Sequence, residues 1–266
     1  MAWPGYSGDA GTARPLALPG SRPKALMAAL LAFVVLAAVG ALLVWLVLKS
    51  RELERRRDLE RKVLARKEGW HYDGQRSGRI EYRFTGGADG IDWQMWYDSD
   101  RGDKSPNPRA YWSSTNLRTR ELALVILGRR RFHMESGPAG RLIIGVVSGV
   151  AQAMTGQDLR PGKSDFYESA VEVTGGRAAF REAFAIAVAP DMPTSWLDDE
   201  LQTLLLDWPS EDGAQKFRAA DSVEITLQSD GLRIVVQRMP QDIAYWAHLA
   251  RLGQCLARRL VGARTQ

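Results

Sequence analysis

The stretch ALMAALLAFVVLAAVGALLVWLVL, residues 25–48, carries no charged or strongly polar side chain over 24 positions. As a helix rising 1.5 Å per residue it would be about 36 Å long, slightly more than the roughly 30 Å hydrocarbon core of a bilayer. Core helices this long and this apolar are uncommon, and a cleaved signal peptide has a shorter apolar region followed by a small-residue cleavage site. Trp45 near one end suits a membrane interface. The stretch therefore predicts one transmembrane helix, with the lipid bilayer as a partner.

The basic residues on either side of this stretch predict its orientation. Arg14, Arg22 and Lys24 precede it, whereas residues 49–67 carry nine lysines and arginines. Basic residues beside a span are retained on the cytoplasmic side, and acidic residues count for little in this rule. We therefore expect a single-pass protein with its C-terminal domain in the cytoplasm. Arginine greatly outnumbers lysine, as in proteins from GC-rich bacterial genomes, so the expected membrane is a bacterial inner membrane.

Arg55, Arg56 and Arg57 follow the apolar stretch within nine residues, which is about 14 Å along a helix. Basic side chains at this distance are attracted to the headgroups of an anionic leaflet, and acidic neighbours offset part of that attraction. The sequence thus predicts one of two roles for these arginines. They form a modest, salt-sensitive contact with anionic lipid headgroups, or they only set topology and solvate the helix.

Charge and cysteine content narrow the classes of partner and cofactor. Residues 49–67 contain nine basic and four acidic side chains, and the resulting +5 equals the net charge of the whole chain. The remainder is therefore near neutral, which argues against nucleic acid as a partner. Cys255 is the only cysteine, so there is no internal disulfide and no cysteine-based zinc site. We expect no cofactor.

The order of these patterns predicts the domain organisation. The segments are a disordered tail at 1–24, the span at 25–48, a charged juxtamembrane helix at 49–68, a soluble domain at 69–262 and a short tail at 263–266. The charged helix contains no glycine or proline before Gly69, which is expected to end it. A Thr-Gly-Gly triplet at Thr85–Gly87 recurs at Thr174–Gly176. The soluble domain could therefore consist of two similar halves.

Alternating apolar residues predict strands in the first part of this domain. Arg79–Thr85 and Ile91–Tyr97 each place apolar side chains on one side and polar side chains on the other. The glycine-rich residues 86–90 between them predict the turn of a β-hairpin. Further strands are expected at Ala110–Asn116 and Leu122–Leu127.

The C-terminal part adds strands and helices. Ala183–Ala189 predicts a strand whose second side is all alanine, which would allow a helix to pack close. Thr194 or Ser195 is expected to cap a helix that ends near Asp207.

A second hairpin and a long helix complete the predicted fold. Val223–Gln228 and Leu232–Arg238 flank a Ser-Asp-Gly turn. The helix at Gln241–Val261 carries an apolar stripe that includes Gly253. Hairpins with helices between them predict an α+β class of antiparallel β-hairpins with packed helices.

Asp98, Asp100 and Asp103 form the most suggestive cluster of chemical groups. Closely spaced carboxylates bind Ca²⁺ or Mg²⁺, and Asp-x-Asp resembles the start of a calcium-binding loop. The resemblance stops there, because the glycine stands at position five instead of six and Arg109 replaces the glutamate at position twelve. The pattern favours an ordinary solvated loop, with a metal site as the alternative.

The other reactive side chains show no catalytic pattern. His71, His133 and His248 lie far apart and lack metal-ligand spacing. His248 and Cys255 share one side of the C-terminal helix but stand seven residues, or about two turns, apart, which disfavours a Cys/His pair. Nucleophile-elbow and phosphate-loop motifs are absent from the sequence.

Two tryptophans near the first hairpin are possible partner contacts. Trp96 falls on the polar side of its strand, and Trp112 lies in the strand that follows. An exposed aromatic side chain can stack on a ligand or a partner, but cover by the helices of the domain is the favoured interpretation.

These patterns support a membrane-anchored, non-enzymatic interaction or scaffold module with an unknown protein partner. The alternatives are a metal-dependent hydrolase that uses Asp98, Asp100 and Asp103, and a small-ligand sensor domain. A concave pocket joining carboxylates to a histidine would favour the hydrolase, and an enclosed apolar pocket would favour the sensor.

Overall fold

The computed structural model describes residues 22–75, 77, 79–99, 108–136, 162–209 and 218–264. Its contacts divide the chain into two compact units, with the boundary between Arg55 and Arg56. The first unit contains most of one long helix. The second contains the end of that helix and an α+β domain.

Helix α1, Arg22–Glu68, includes the apolar stretch. Large side chains along it are exposed, for example Phe33 at 70% and Trp45 at 53%. Within the described residues, α1 is the one helix long and apolar enough to cross a membrane. Where the stretch ends, the Nζ of Lys49 lies 4.8 Å from the centre of the Trp45 ring in a cation–π contact. Helix α1 therefore has the length and composition of a membrane-spanning segment.

Helix α1 ends where the sequence predicts. Gly69 adopts a left-handed conformation with φ +71°, and the amide of Trp70 donates to the carbonyl oxygen of Ala65 at 2.7 Å. This closing bond belongs to a left-handed helix cap, for which glycine is preferred.

The last turns of α1 belong to the folded domain. Leu64 and Ala65 are buried in its main core and Arg61 is only 9% exposed, whereas Leu59 and Val63 face outward. The predicted domain starts at residue 69, but the structural unit starts at Arg56. The difference arises because one side of this charged helix is covered by the domain.

Nine strands within the described residues form one antiparallel sheet, in the order β1-β2-β3-β4-β9-β8-β5-β7-β6. The strands are β1 His71–Asp73, β2 Ile80–Ala88, β3 Ile91–Asp98, β4 Arg109–Ser114, β5 Leu124–Gly128, β6 Val171–Glu172, β7 Phe184–Val188, β8 Val223–Gln228 and β9 Gly231–Gln237. Together with the helices, this sheet confirms the α+β class.

Both predicted hairpins are present. In the β2–β3 turn, Asp89 and Gly90 have positive φ values of 54° and 75°, as two-residue turns between twisted strands require. In the β8–β9 hairpin, Gly231 has φ +117° and packs against the backbone of Ser114, which leaves no room for a side chain.

The helices after α1 are α2 Arg129–Ser136, α3 Gly162–Ser169, α4 Ala178–Ala183, α5 Asp199–Leu206, α6 Ala219–Ser222 and α7 Ile243–Arg264. Helix α7 packs on the inner side of β3 and β4. Its stripe residues Trp246, Leu249, Leu256 and Leu260 are buried, as predicted. At Gly253, which has no side chain, the ring of Trp112 contacts helix α7 directly.

A second, smaller core lies on the other side of β5 and β7. Ala185 and Ala187 of β7 pack there with Phe132 of α2 and with Phe166 and Tyr167 of α3. The prediction that the alanine side of this strand admits helices is confirmed. Small side chains let the aromatic rings approach the sheet closely.

Two details differ from the sequence-based expectations. Helix α5 is capped by Asp198, whose Oδ1 accepts from the Leu201 amide at 2.9 Å, and not by Thr194 or Ser195. The first Thr-Gly-Gly triplet lies inside β2, whereas the second lies in the loop between β6 and α4. The two triplets therefore differ in local structure.

Candidate functional site

The face of β1, β2, β3, β4 and β9 that points away from α7 is here called the outer face. His71, Thr85, Gln94, Ser113 and Arg233 stand opposite one another on successive strands and form a row across it. The helices on this side, α2 and α3, pack over β5 and β7. The outer face therefore presents polar side chains drawn from five strands.

One end of this face forms an open cleft of about 540 Å³. Its lining residues are Gly69, His71, Thr85, Gly86, Asp92, Trp93, Gln94, Ser113 and Thr115. Gly86 is required here because the ring of Trp93 occupies the space that a side chain at residue 86 would need. The volume falls within the range of ligand pockets, and the lining offers hydroxyl, amide, imidazole and carboxylate groups.

The cleft does not assemble a nucleophile with its base. His71 is exposed on the edge strand β1, and two strands, β2 and β3, separate it from Ser113 in β4. General-base catalysis requires such a pair within about 2.6–3.2 Å.

An aromatic stack occupies the centre of the outer face. Trp96 lies on Tyr111 with ring centres 4.9 Å apart and planes 10° from parallel. The Cζ of Arg233 lies 4.9 Å from the centre of the Tyr111 ring. Trp96 stays half-buried and Tyr111 is 7% exposed, because each ring is covered by its neighbours. The stack gives this polar face a flat apolar centre.

Three arginines surround that stack. Arg83 stands opposite Trp96 in the β2–β3 ladder, and Arg109 lies two residues before Tyr111 in β4. The Nε atoms of Arg83, Arg109 and Arg233 are buried without a hydrogen-bond partner in the described structure. We call Arg83, Trp96, Arg109, Tyr111 and Arg233 the arginine–aromatic surface.

A second polar cluster joins the end of α1 to the domain. The guanidinium of Arg61 lies 3.7 Å from the centre of the Tyr82 ring. Its Nη2 donates to Oε1 of Gln241 at 2.8 Å, and the hydroxyl of Tyr82 donates to the same oxygen at 2.8 Å. The sequence patterns do not predict this cluster. Its only signal was the position of Arg61 on the same helix side as Leu64 and Ala65.

Tyr72 and Asp58 extend this cluster toward solvent. The Tyr72 hydroxyl donates to Oδ1 of Asp58 at 2.7 Å, and Lys62 forms an ion pair with Asp58 at 2.7 Å. Burial, reinforced by the bond to Asp58, raises the pKa of Tyr72 to about 12. Burial acts to raise the pKa of Asp58, but the bonds from Lys62 and Tyr72 outweigh it and the pKa is lowered. Tyr72 thus remains a donor and Asp58 an acceptor at neutral pH.

His248 and Cys255 are placed as structural groups. Nε2 of His248 donates to the carbonyl oxygen of Leu204 at 2.7 Å, and its ring contacts Trp208 at 4.6 Å. Burial lowers the pKa of His248 and raises the pKa of the Cys255 thiol. A neutral imidazole and an undissociated thiol do not form an activated pair.

The predicted metal cluster is only partly described. Asp98 ends β3 and stands opposite Arg109 in the ladder, whereas Asp100 and Asp103 lie outside the described residues. No group of three or more histidine, cysteine, aspartate or glutamate side chains within the described ranges could hold a metal ion.

The remaining predicted site residues are placed clearly. Arg55, Arg56 and Arg57 are exposed on α1. Trp112 has no exposed surface, so of the two possible partner contacts only Trp96 lies on the outer face. The β-strand alternation directs Trp112 onto α7, whereas Trp96 points to the outer face.

Comparison of this chain with protein-family models, with curated proteins and with solved structures finds no match.

Proposed function

We propose that this chain is a single-pass membrane protein whose domain is a non-enzymatic interaction module. Helix α1 anchors it in the bilayer, and a protein partner binds the outer face. The observation that carries the proposal is the outer face itself, which combines an open polar cleft with an aromatic stack flanked by arginines. Aromatic and arginine side chains are enriched where proteins bind each other.

The anchor is supported by the composition of α1. Its apolar side chains are exposed along the stretch that the sequence assigns to the bilayer. We further propose that the domain faces the cytoplasm of a bacterial cell, because nine basic residues follow the span and three precede it. A reporter enzyme fused after Gln266 should then behave as cytoplasmic. Cleavage of that terminus by a protease added outside intact cells would contradict this orientation.

The proposed interaction is tested by photo-crosslinking in cells. A benzophenone amino acid replaces Gln94 in the cleft, and the matched control replaces Gln254 of α7, which is also a half-buried glutamine. We expect discrete protein adducts at residue 94 and none at residue 254. In a separate test of the anchor, the chain should remain in the membrane fraction when membranes are extracted at alkaline pH. Release by alkali would reject the anchor. Adducts that are absent, or equal at both positions, would reject the outer face as the interaction site.

Enzymatic activity of the domain would contradict the proposed non-enzymatic function. The chain in neutral-lipid nanodiscs is incubated with Mg²⁺ or Mn²⁺ and a panel of generic phosphoester and ester substrates. Metal-dependent turnover that is lost in Asp98→Asn would replace the interaction module with the hydrolase alternative.

A further inference from the structure

We infer that the arginine–aromatic surface binds an extended acidic segment of a partner protein. This inference rests on the proposed interaction function and deepens it by naming the chemistry of the partner. The ligand would place carboxylates on two of the three arginines and one apolar or aromatic side chain on the Trp96–Tyr111 stack.

The arginines of this surface differ from other arginines of the domain because they form no ion pair among the described residues. Salt bridges elsewhere in the domain join arginines to carboxylates, as in the 2.6 Å pair between Arg131 and Glu224. Arg83, Arg109 and Arg233 form no such pair with a described residue, and the guanidinium of Arg233 lies over the Tyr111 ring. Guanidinium groups without a carboxylate, held in place on a sheet, match a ligand that supplies carboxylates.

The sheet ladder determines the spacing of the three arginines. Strand separations of about 4.8 Å and a rise of about 3.4 Å per residue put their Cα atoms roughly 12 to 16 Å apart around Tyr111. In an extended peptide, side chains at positions i and i+4 lie about 13.6 Å apart on one side, with i+2 between them. An acidic residue, an apolar residue and another acidic residue at alternate positions therefore fit two arginines and the stack.

The surrounding charges favour a peptide over a polyanion. Asp73 stands opposite Arg83 in the β1–β2 ladder, and Asp98 stands opposite Arg109 in the β3–β4 ladder. These carboxylates repel a continuous row of phosphates, whereas a peptide with a few spaced carboxylates avoids them. The chain outside residues 49–67 also carries no net charge, so it lacks the broad positive field typical of nucleic-acid binding.

The test uses the full chain in nanodiscs of neutral phosphatidylcholine. A library of random twelve-residue peptides is selected for binding, and the enriched sequences are compared between the parent and two triple variants. Arg83→Gln/Arg109→Gln/Arg233→Gln removes the surface arginines. Arg120→Gln/Arg130→Gln/Arg218→Gln removes three exposed arginines elsewhere and is the control for charge.

We expect enriched peptides with acidic residues at i and i+4 and an apolar or aromatic residue at i+2. A synthetic peptide of this kind should bind the surface variant about tenfold to a hundredfold more weakly than the parent, and the control variant within about twofold. Both variants should unfold in urea within the same range as the parent, which separates lost binding from lost folding.

Several results would overturn the inference. Enrichment of peptides without acidic residues would reject the acidic partner while leaving the interaction function standing. Equal weakening by both triple variants, or no enrichment at all, would reject the surface as the peptide site. Competition by an oligothymidylate, or by phosphatidylserine nanodiscs, as strong as that of the peptide would assign the surface to nucleic acid or to lipid instead.

Discussion

Replacing Gly253 by alanine is expected to destabilise the domain, although alanine is the better helix former. A Cβ at this position of α7 would lie within 3.0 Å of several ring atoms of Trp112, with Nε1 at 2.6 Å. Ordinary van der Waals contact begins near 3.4 Å, so helix and ring must separate by about 0.8 Å or more. Trp112 has no exposed surface and stacks on Trp93 at 6.5 Å, so the ring has little space into which it can move.

Gly262 in the same helix provides the matched control. No atom of the described residues lies within 4 Å of a Cβ built there. Alanine in place of glycine gains up to about 1 kcal/mol of helix propensity at either position, somewhat less in the last turn. Overpacking a core costs about 1–3 kcal/mol, which applies only to residue 253. We therefore expect Gly253→Ala to destabilise by about 0–2 kcal/mol and Gly262→Ala to stabilise slightly, so that their difference isolates the steric cost.

Urea unfolding of the full chain in neutral nanodiscs, followed by tryptophan fluorescence, measures this difference. The two variants should share the denaturant dependence of the parent and differ in midpoint. In a Trp112→Leu background the cost of Gly253→Ala should shrink, because leucine leaves room for the added methyl group. Equal stabilisation by alanine at both positions would refute the close contact between Gly253 and Trp112.

Four further predictions concern other parts of the molecule. Arg61→Ala should lower the free energy of unfolding by about 1–3 kcal/mol in the same urea assay, because a buried cation–π contact and a charged hydrogen bond are lost together. An unchanged urea midpoint would contradict the described contacts of Arg61. Because the pKa of His248 is lowered in the folded state, the unfolded chain binds a proton more readily, and the free energy of unfolding should fall as pH drops below about 6.5. This pH dependence should disappear in His248→Gln but persist in the control His133→Gln. Because Cys255 is buried and its pKa is raised, a thiol reagent at pH 8 should label it about a hundredfold more slowly in the native chain than in the urea-unfolded chain. Fast labelling of the native chain would refute its burial. A soluble fragment that begins at residue 50 should bind phosphatidylserine vesicles more weakly when Arg55–Arg57 are changed to glutamine, by at most about 1 kcal/mol per arginine in a co-sedimentation assay. If the fragment binds neutral vesicles equally well, setting topology remains the role of these residues.

The elements that the sequence predicted correctly depend on local patterns. Alternation in β2 and β3, with Asp89 and Gly90 at the turn, specifies a hairpin because a two-residue period and a positive φ are both local requirements. The stripe of α7 was found for the same reason. An apolar side repeated over about four turns has to face a core wherever that core lies.

The features that were missed depend on residues far apart in the chain. Arg61 and Gln241 are separated by 180 positions, and nothing near either residue indicates the other. Trp112 was considered as a partner contact because neighbouring aromatics drew attention to its strand, but its burial depends on Gly253, in a helix that is remote in sequence. The cap of α5 was misplaced for a different reason: Thr194, Ser195 and Asp198 are all good capping residues, and only packing selects among them.

The polar cluster around Arg61 explains how one charged helix can have a unique position in the domain. Leu64 and Ala65 supply apolar burial, but such contacts vary little when a helix slides or rotates slightly. The bond from Arg61 to Gln241 at 2.8 Å and its position over the Tyr82 ring are directional, and they can be formed together in only one register of the helix. Buried polar groups of this kind add modest net stability, because desolvation offsets their attraction, yet they penalise every alternative register in which they lose their partners. The end of α1 is therefore held by burial and positioned by Arg61.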